Sequence, residues 1–440
     1  MTRFRLDRSN VAFSSALALV MLALLIGPRI PDAEQTANFV YNVHLPGPFG
    51  LSLNSDSREF LQLASEPAHL FDPGNVRQSR PGLIFAAAIL SWPLLPLSPA
   101  ARWFGVTAQH TDIDPERISS VLASYPPAFV AYVLLNVAIL MAAFYYYRRV
   151  VEPGGARSLE VAIIMVSVGL LLIANDVVKV FLWSPHTQMF NILVPILGVY
   201  IALRAGASDP PPRRFAIGMG LATGLGVTAY AFFAVLVPCF VVPSMLRCIV
   251  GPRARVRARL IDAVLFSVLA AVPFVAWYVL VRTITGSFYQ VEIATQVVWM
   301  EQAYSERGIA GVITGILGNL GTLGAMAAEQ SLALCATIIL ITLVAAFHAG
   351  SRSALRGLPP VLAAAVFVSV LVAGFYASVG NMSLRLAYPI LPPLIVATGF
   401  AANAIAETLA PTWKRILAFG CLAITIVQIV AMILKFPPLI

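Results

Sequence analysis

The sequence predicts an all-α polytopic membrane protein with about eleven transmembrane helices and further juxtamembrane or re-entrant helices in its first external loop. Of the 440 residues, 59% are hydrophobic and only 11% are charged, whereas soluble domains are roughly 25% charged. The mean hydropathy is +0.85. A spanning helix needs about 20 apolar residues, so a chain of this length and composition accommodates about ten. This composition excludes a soluble enzyme, a disordered protein and a nucleic-acid-binding domain.

The apolar spans are separated by short charged segments. The first span, 11–27, follows Arg3, Arg5 and Arg8, which predicts a cytoplasmic N-terminus. A cleaved signal peptide is the alternative, but no small-x-small cleavage site follows, which favours an anchor. The later spans are predicted at 128–147, 158–175, 188–204, 258–281, 328–349, 358–379, 388–406 and 416–434, with a hairpin of two helices in 215–249.

The segment 81–101 is apolar but contains four prolines, and it is predicted to be re-entrant or interfacial. With this assignment the cytoplasmic segments contain 18 basic residues (Lys and Arg) and 6 acidic residues (Asp and Glu). The external segments contain 11 basic and 14 acidic residues. The positive-inside rule is then obeyed, and the C-terminus is external. The excess of Arg over Lys suggests a bacterial source, which would place the protein in the inner (plasma) membrane.

The chain shows no internal repeat, so residues 1–440 are predicted to form a single membrane domain. Two external loops are expected, 28–127 and 283–327. The glycine-rich stretch 218–226 predicts close helix packing, because a phosphate-binding loop would need a preceding strand. The arginines between 253 and 259 indicate a cytoplasmic loop, with a specific lipid site as the alternative reading.

The first external loop contains the main catalytic candidate. Residues 56–66 have the pattern of a short amphipathic helix that begins at Asp56, with Glu59 three residues later. One interpretation is a capping box, in which the two carboxylates satisfy backbone N–H groups. The other is a general base kept ionised by the start of a helix. The two interpretations are compatible.

Other polar residues stand at the ends of predicted spans. Arg80 precedes Pro81 where the chain re-enters the apolar zone, and Arg385 lies before Tyr388. Each arginine either lies at the interface without a further role or binds a phosphate. Asp176 and Lys179 form an ion pair or a functional site. His186 is a weaker candidate, and no spacing of His, Asp or Glu predicts a metal site.

These pieces together resemble the GT-C superfamily of integral membrane glycosyltransferases. The family's Asp-x-x-x-Tyr-x-x-hydrophobic-Ala pattern corresponds to Asp56 through Ala64, with Phe60 in place of Tyr. Its basic-Pro turn corresponds to Arg80-Pro81-Gly82. Its cytoplasmic Arg-Arg turn corresponds to Arg148-Arg149. Its late Arg-Tyr-x-x-Pro pattern is similar to the segment 385–392, with two residues inserted between Arg and Tyr. A polar residue of the family's glycine-rich hairpin is replaced by Tyr230.

The resemblance implies transfer of a sugar from a polyprenyl-phosphate donor to a glycan, lipid or protein acceptor on the external face. In this interpretation Asp56 activates the acceptor hydroxyl. The donor phosphate is bound by Arg80, Arg385 and Lys179, and further substrate contacts come from Glu59, Asp176, His186 and Tyr388. No cofactor is implied with certainty, and a divalent cation is left open. The second external loop, with Trp299, Glu301 and Tyr304, covers the acceptor or forms an interfacial belt.

A transporter or flippase of a lipid-linked glycan is the alternative function. Transporters commonly contain internal repeats and helices broken at the membrane midplane. The sequence has no such repeat, and its candidate charges collect at one face. Both features favour the enzyme.

Overall fold

The computed structural model describes residues 8–26, 40–44, 48–99, 109–110, 125–152, 158–289, 297–348, 357–380 and 382–434. The N-terminal Arg3 and Arg5 and parts of both predicted external loops lie outside these residues. Helices dominate the described chain, which confirms the helical class. A small antiparallel sheet in the first loop was not predicted: β1 (Val40–His44) lies between β2 (Gly50–Asn54) and β3 (Gln109–His110).

The described helices follow the apolar segments of the sequence. In chain order they are α1 (Arg8–Ala23), α2 (Ser55–Ser65), α3 (Pro81–Ser91), α4 (Pro126–Val151), α5 (Leu159–Leu170), α6 (Asp176–Phe181), α7 (Phe190–Ala205), α8 (Arg213–Ala229), α9 (Leu236–Val250), α10 (Val256–Thr285), α11 (Val298–Glu329), α12 (Leu332–Ala346), α13 (Leu358–Val379), α14 (Leu384–Ala387), α15 (Leu391–Thr408) and α16 (Pro411–Leu434).

Seven helices in the described part of the chain are long and apolar enough to cross a membrane, which identifies a helical membrane protein. The predicted number of eleven is not confirmed. Several predicted spans form shorter helices: α5 has 12 residues, α7 has 16, α8 has 17 and α12 has 15. Helix α5 is shorter than its apolar segment because the chain turns after Leu170.

Helix α7 is the centre of the bundle. It packs against α4, α9, α13 and α15, and nearly all of its residues are buried. Its sequence is apolar on every face, which is typical of a helix surrounded by other helices. The start of α7 lies beside the candidate site, and its end, about 24 Å away at 1.5 Å per residue, lies at the opposite end of the bundle.

The glycine-rich stretch packs closely against a neighbouring helix, as predicted. Helix α8 lies along α10. A Cβ atom built at Gly220 would lie 2.8 Å from the carbonyl oxygen of Phe266, and one at Gly224 would lie 2.7 Å from that of Leu269. These contacts are with backbone, so a side chain would force the two helices apart.

Replacement of Gly224 by alanine is therefore expected to destabilise the protein by about 1–3 kcal/mol, the usual cost of overpacking. Gly218 is the matched control, because a Cβ atom there would have no neighbour within 4 Å. Gly218→Ala should be neutral or stabilising by up to about 1 kcal/mol, since alanine favours helix. Thermal unfolding of the two purified variants checks this. Equal midpoints would show that the α8–α10 contact does not require glycine.

The first loop contains the short helix α3, at the position predicted to be re-entrant or interfacial. Its 11 residues extend about 16 Å, roughly half of the hydrocarbon core, so it is too short to cross as a helix. It packs on α2, α4 and α8. The loop is also tied to α10 and to the segment that follows it. Trp277 Nε1 on α10 donates to the carbonyl of Gln78 (2.7 Å), and the N–H of Tyr289, four residues after α10, donates to Gln78 Oε1 (2.8 Å).

The described part of the second predicted loop, 283–327, is largely helical. Helix α11 is interrupted at Gly308 (φ 61°), and it folds back there so that Trp299 approaches Gly315. Trp299 donates to the carbonyl of Ser378 (3.3 Å) and Asn319 donates to that of Ala377 (3.0 Å). Both halves therefore contact the same end of α13. This segment forms a helix although six glycines between 308 and 324 lower its helix propensity.

Candidate functional site

Asp56 lies in the first turn of α2 and contacts two residues from distant parts of the chain. Its Oδ1 is 2.6 Å from Arg77 Nη2, and its Oδ2 is 3.3 Å from His186 Nε2. The side chain of Asp56 is 34% exposed, so its carboxylate remains accessible. An accessible carboxylate held in place on two sides is able to receive a ligand.

Arg77 bridges the two carboxylates of α2. Its Nε donates to Glu59 Oε2 (2.8 Å) while its Nη2 pairs with Asp56, and its guanidinium lies over the Phe60 ring at 5.0 Å. Burial favours the neutral form of Asp56, but the proximity of His186 and Arg77 outweighs it and holds the pKa of Asp56 well below its usual range. Asp56 is therefore a carboxylate at neutral pH.

The capping-box interpretation is wrong for the described residues. Helix α2 begins at Ser55, so Asp56 is already inside the first turn rather than at the cap. Glu59 reaches out to Arg77 instead of back to the backbone. The spacing is the same in both arrangements, and only the position of Arg77 decides between them. The carboxylates of α2 thus serve the site rather than the helix terminus.

The turn that carries His186 is fixed by hydrogen bonds to buried backbone. Asn136 Nδ2 on α4 lies within 3.1 Å of the carbonyl oxygens of Phe181, Leu182 and Ser184. The Ser184 and Ser57 hydroxyl oxygens are 3.0 Å apart, which ties this turn to α2. These contacts hold His186 against the carboxylate of Asp56.

The protonation of His186 follows from its neighbours. The Thr187 N–H donates to His186 Nδ1 (2.9 Å), so Nδ1 is an acceptor and the proton of the neutral ring is assigned to Nε2, which faces Asp56. Burial lowers the pKa of His186 to about 4, aided by the charges of Arg385 and Arg80 and opposed by Asp56. His186 is thus neutral at pH 7, and its Nε2 lies 3.3 Å from Asp56 Oδ2 as a close polar contact beside the carboxylate.

Arg80 precedes α3 and lies over the ring of Tyr230, with 5.6 Å between its Cζ and the ring centroid. Gly82 permits this arrangement, because a Cβ atom there would lie 2.5 Å from Thr228 Oγ1 and 3.1 Å from the Ala229 nitrogen. The Arg-Pro-Gly sequence therefore places α3 directly against the end of α8. Tyr230 supports the guanidinium with its ring.

Arg385 lies on the short helix α14, next to the start of α7. The Asn191 side chain donates to the Arg385 carbonyl (3.2 Å) and accepts from the Tyr376 hydroxyl (2.7 Å). The Tyr230 hydroxyl lies 3.2 Å from that of Tyr376 and must donate to it, since Tyr376 donates to Asn191. This chain of hydrogen bonds links the elements that carry the two arginines.

The structure brings both predicted phosphate-binding arginines toward the same buried residues. Arg80 lies over Tyr230, whose hydroxyl contacts that of Tyr376, and Asn191 joins Tyr376 to the carbonyl of Arg385. The charges of both arginines also lower the pKa of His186. His186 in turn faces Asp56. Asp56, Glu59, Arg77, Arg80, His186 and Arg385 therefore form one charged site at one end of the bundle, which we call the α2 site.

The remaining predicted residues have structural contacts. The Lys179 ammonium donates to the carbonyls of Met432 and Ile433 at the end of α16, where a cation complements the helix terminus. The Tyr388 hydroxyl donates to the carbonyls of Leu171 (3.3 Å) and Leu172 (3.0 Å), so it supports the turn after α5. Asp176 is buried at the start of α6.

A polar cleft of roughly 400 Å³ adjoins the α2 site. Glu59 and Arg77 line it on the side of Asp56, and the other lining residues are Gln62, Leu63, His69, Asp72, Asn75 and Val76. His69 lies between Glu66 (2.8 Å) and Asp72 (2.7 Å), which raise its pKa. Among the described residues, no group of three or more His, Cys, Asp and Glu could hold a metal ion.

Sequence reasoning missed Arg77, Asn191 and Tyr376. Arg77 was one of several charges in a long loop, and nothing in its local pattern distinguishes it. Asn191 and Asn136 carried a usable signal, because amides inside apolar helices must find partners and often mark a site.

No protein-family model matches the chain, and no curated protein or solved structure matches it significantly. The fold and the site by themselves define a polytopic helical membrane protein with a charged site at one end of its bundle.

Proposed function

We propose that this protein is a membrane glycosyltransferase of the GT-C type, which transfers a sugar from a polyprenyl-phosphate donor to a glycan, lipid or protein hydroxyl. The observation that carries the proposal is the convergence of an ionised, accessible carboxylate and two arginines in the α2 site. We place the protein in a bacterial inner membrane with a cytoplasmic N-terminus, an external C-terminus and the α2 site on the external face.

In the proposed reaction the acceptor oxygen forms a bond to the anomeric carbon while the bond from that carbon to the phosphate oxygen breaks. The electron pair of the broken bond leaves with the phosphate, and the acceptor proton passes to Asp56. The sugar acquires oxocarbenium character in the transition state. Arg80 and Arg385 stabilise the charge that grows on the phosphate, as preorganised cations do in a site of low dielectric.

Arg77 has a regulating part in this scheme. While it pairs with Asp56, it keeps the pKa of the carboxylate low and its basicity weak. Binding of a substrate that draws the Arg77 guanidinium away raises the basicity of Asp56 when the acceptor is in place. His186 holds the carboxylate in position throughout, because its Nε2 remains on the opposite oxygen.

The test is a mass profile of cell glycans from a strain that lacks the protein, complemented with wild type, Asp56→Asn or Glu306→Gln at matched protein levels. Glu306 is an exposed carboxylate on α11 and serves as the control. We expect a sugar to disappear from one lipid or polymer and to return with wild type and Glu306→Gln only. Full rescue by Asp56→Asn would remove Asp56 from the chemistry and make a transporter or flippase of a lipid-linked glycan the leading function.

A further inference from the structure

A second cavity lies at the end of the bundle opposite the α2 site. It is a groove of roughly 680 Å³ between the end of α7, helix α9 and the start of α13. The groove exists because small residues face one another across it, among them Ala202, Gly206, Ala363 and Ala364. Its apolar walls and its place between membrane helices suit a hydrocarbon chain.

The same end of the bundle is strongly basic. Residues 204–262 contain eight arginines, two aspartates and no other charged residue. Both aspartates are already paired, Asp209 with Arg255 (2.5 Å) and Asp262 with Arg213 (3.3 Å). This end therefore has a net positive charge that neighbouring carboxylates do not neutralise, and it is complementary to a phosphate.

Some of these arginines have structural roles. The Arg259 guanidinium is buried and donates to three backbone carbonyls, those of Ala205 (2.9 Å), Ala207 (2.7 Å) and Ser208 (2.8 Å). Ala205 is the last residue of α7, and the other two lie in the turn that follows it. Arg255 also donates to the Ser208 carbonyl (2.9 Å). Membrane topology alone does not require such contacts, and they fix the backbone at the mouth of the groove.

Arg247 on α9 is the arginine that lines the groove itself. Its Nε donates to the Gly206 carbonyl (2.6 Å), which fixes the plane of the guanidinium. Within the described structure this is the one hydrogen bond that Arg247 makes, so its two terminal nitrogens are available to an external acceptor. A guanidinium of fixed orientation is well suited to bind two phosphate oxygens.

We propose that this groove binds an anionic phospholipid, with the phosphate on Arg247 and one acyl chain between α9 and α13. The combination of a hydrocarbon-sized groove and a fixed cation at its mouth matches such a lipid better than an uncharged one. The inference does not rest on the proposed glycosyl transfer, because the groove and the α2 site are at opposite ends of α7.

The test is native mass spectrometry of the purified protein in detergent with phosphatidylglycerol or phosphatidylcholine. We expect one phosphatidylglycerol to bind at least about tenfold more tightly than phosphatidylcholine. Arg247→Gln should weaken phosphatidylglycerol binding by about tenfold or more, as for the loss of one charge-assisted contact. Arg257→Gln removes the same charge from an exposed position outside the groove and should have little effect.

A second variant tests the groove without altering the arginines. Ala363 is exposed and lines the groove, so Ala363→Leu fills it and should also weaken binding by about tenfold. Equal losses in Arg247→Gln and Arg257→Gln would indicate diffuse attraction and would overturn the site. Unchanged binding in Ala363→Leu would overturn the placement of the acyl chain. Displacement of the lipid by equimolar glycerol phosphate would show that the headgroup alone is recognised, which also contradicts the proposal.

Discussion

Simultaneous replacement of Arg80 and Arg385 by glutamine is expected to abolish measurable sugar transfer. Each guanidinium is proposed to stabilise charge that develops on the departing phosphate, and one such donor is typically worth about 10²–10³ in kcat. The two arginines are connected through Tyr230, Tyr376 and Asn191, and we propose that both contact the same phosphate. The measurement is the rate of sugar release from a polyprenyl-phosphate sugar in proteoliposomes.

The two single variants and one control variant test whether the loss of activity comes from these two arginines. Arg80→Gln and Arg385→Gln should each lower kcat more than they raise KM, because the charge they meet is greatest in the transition state. Arg58→Gln changes an exposed arginine on α2 and should leave both constants unchanged. If the single variants raised KM alone, the arginines would serve uniform donor binding rather than departure of the phosphate.

Acidification from pH 7 to pH 4 is expected to destabilise the protein through His186. Its pKa is 6.5 in the unfolded chain and about 4 in the fold. Between pH 6.5 and pH 4, His186 binds a proton in the unfolded state but not in the folded state. The stability that His186 contributes is therefore fully present above pH 6.5 and is lost as the pH falls toward 4. The lower pKa of His186 in the folded state corresponds to a loss of about 3 kcal/mol in the free energy of unfolding at low pH, at about 1.4 kcal/mol per pKa unit.

Thermal unfolding midpoints measured from pH 4 to pH 7.5 check this expectation. His186→Gln should flatten the acid side of the profile, because no buried imidazole remains to be protonated. His69→Gln is the control: His69 is exposed and its pKa is raised, so its contribution has the opposite sign and is lost as pH rises. A wild-type profile that stays flat down to pH 4 would mean that His186 is not buried as a neutral ring.

Part of the α2 site was predictable because its residues occur in local patterns. Asp56 at the start of a short helix, Arg80 before a proline and Arg385 before a span were all recognised as charges beside apolar segments. Whether Asp56 and Glu59 form a capping box could not be decided from the sequence. That depended on Arg77, which lies 21 residues away in sequence and 2.6 Å away in space.

For Lys179 and Tyr388 the structure shows contacts that the sequence did not predict. Both are polar residues beside apolar segments, and the sequence assigned them to the substrate. In the structure the Lys179 ammonium donates to the carbonyl of Met432 at a helix end, and the Tyr388 hydroxyl donates to the carbonyl of Leu172 in a turn. A buried backbone carbonyl needs a donor as much as a substrate does, and the partner is chosen by packing between distant segments.

The sequence by itself determined that this protein lies in a membrane rather than in water. Its apolar composition requires a membrane and helices, because a backbone in lipid must satisfy its own hydrogen bonds. It also indicated that the glycines of 218–226 would permit close helix packing, although not that α10 would be the partner. Only the tertiary structure decided which charges meet. Asp56, His186 and Arg385 come from three separate segments. Asp56 meets His186 because α2 packs on α4, whose Asn136 holds the turn before α7, and the Arg385 carbonyl contacts Asn191 at the start of α7. Packing between segments that are distant in sequence is a three-dimensional property that local residue patterns do not contain.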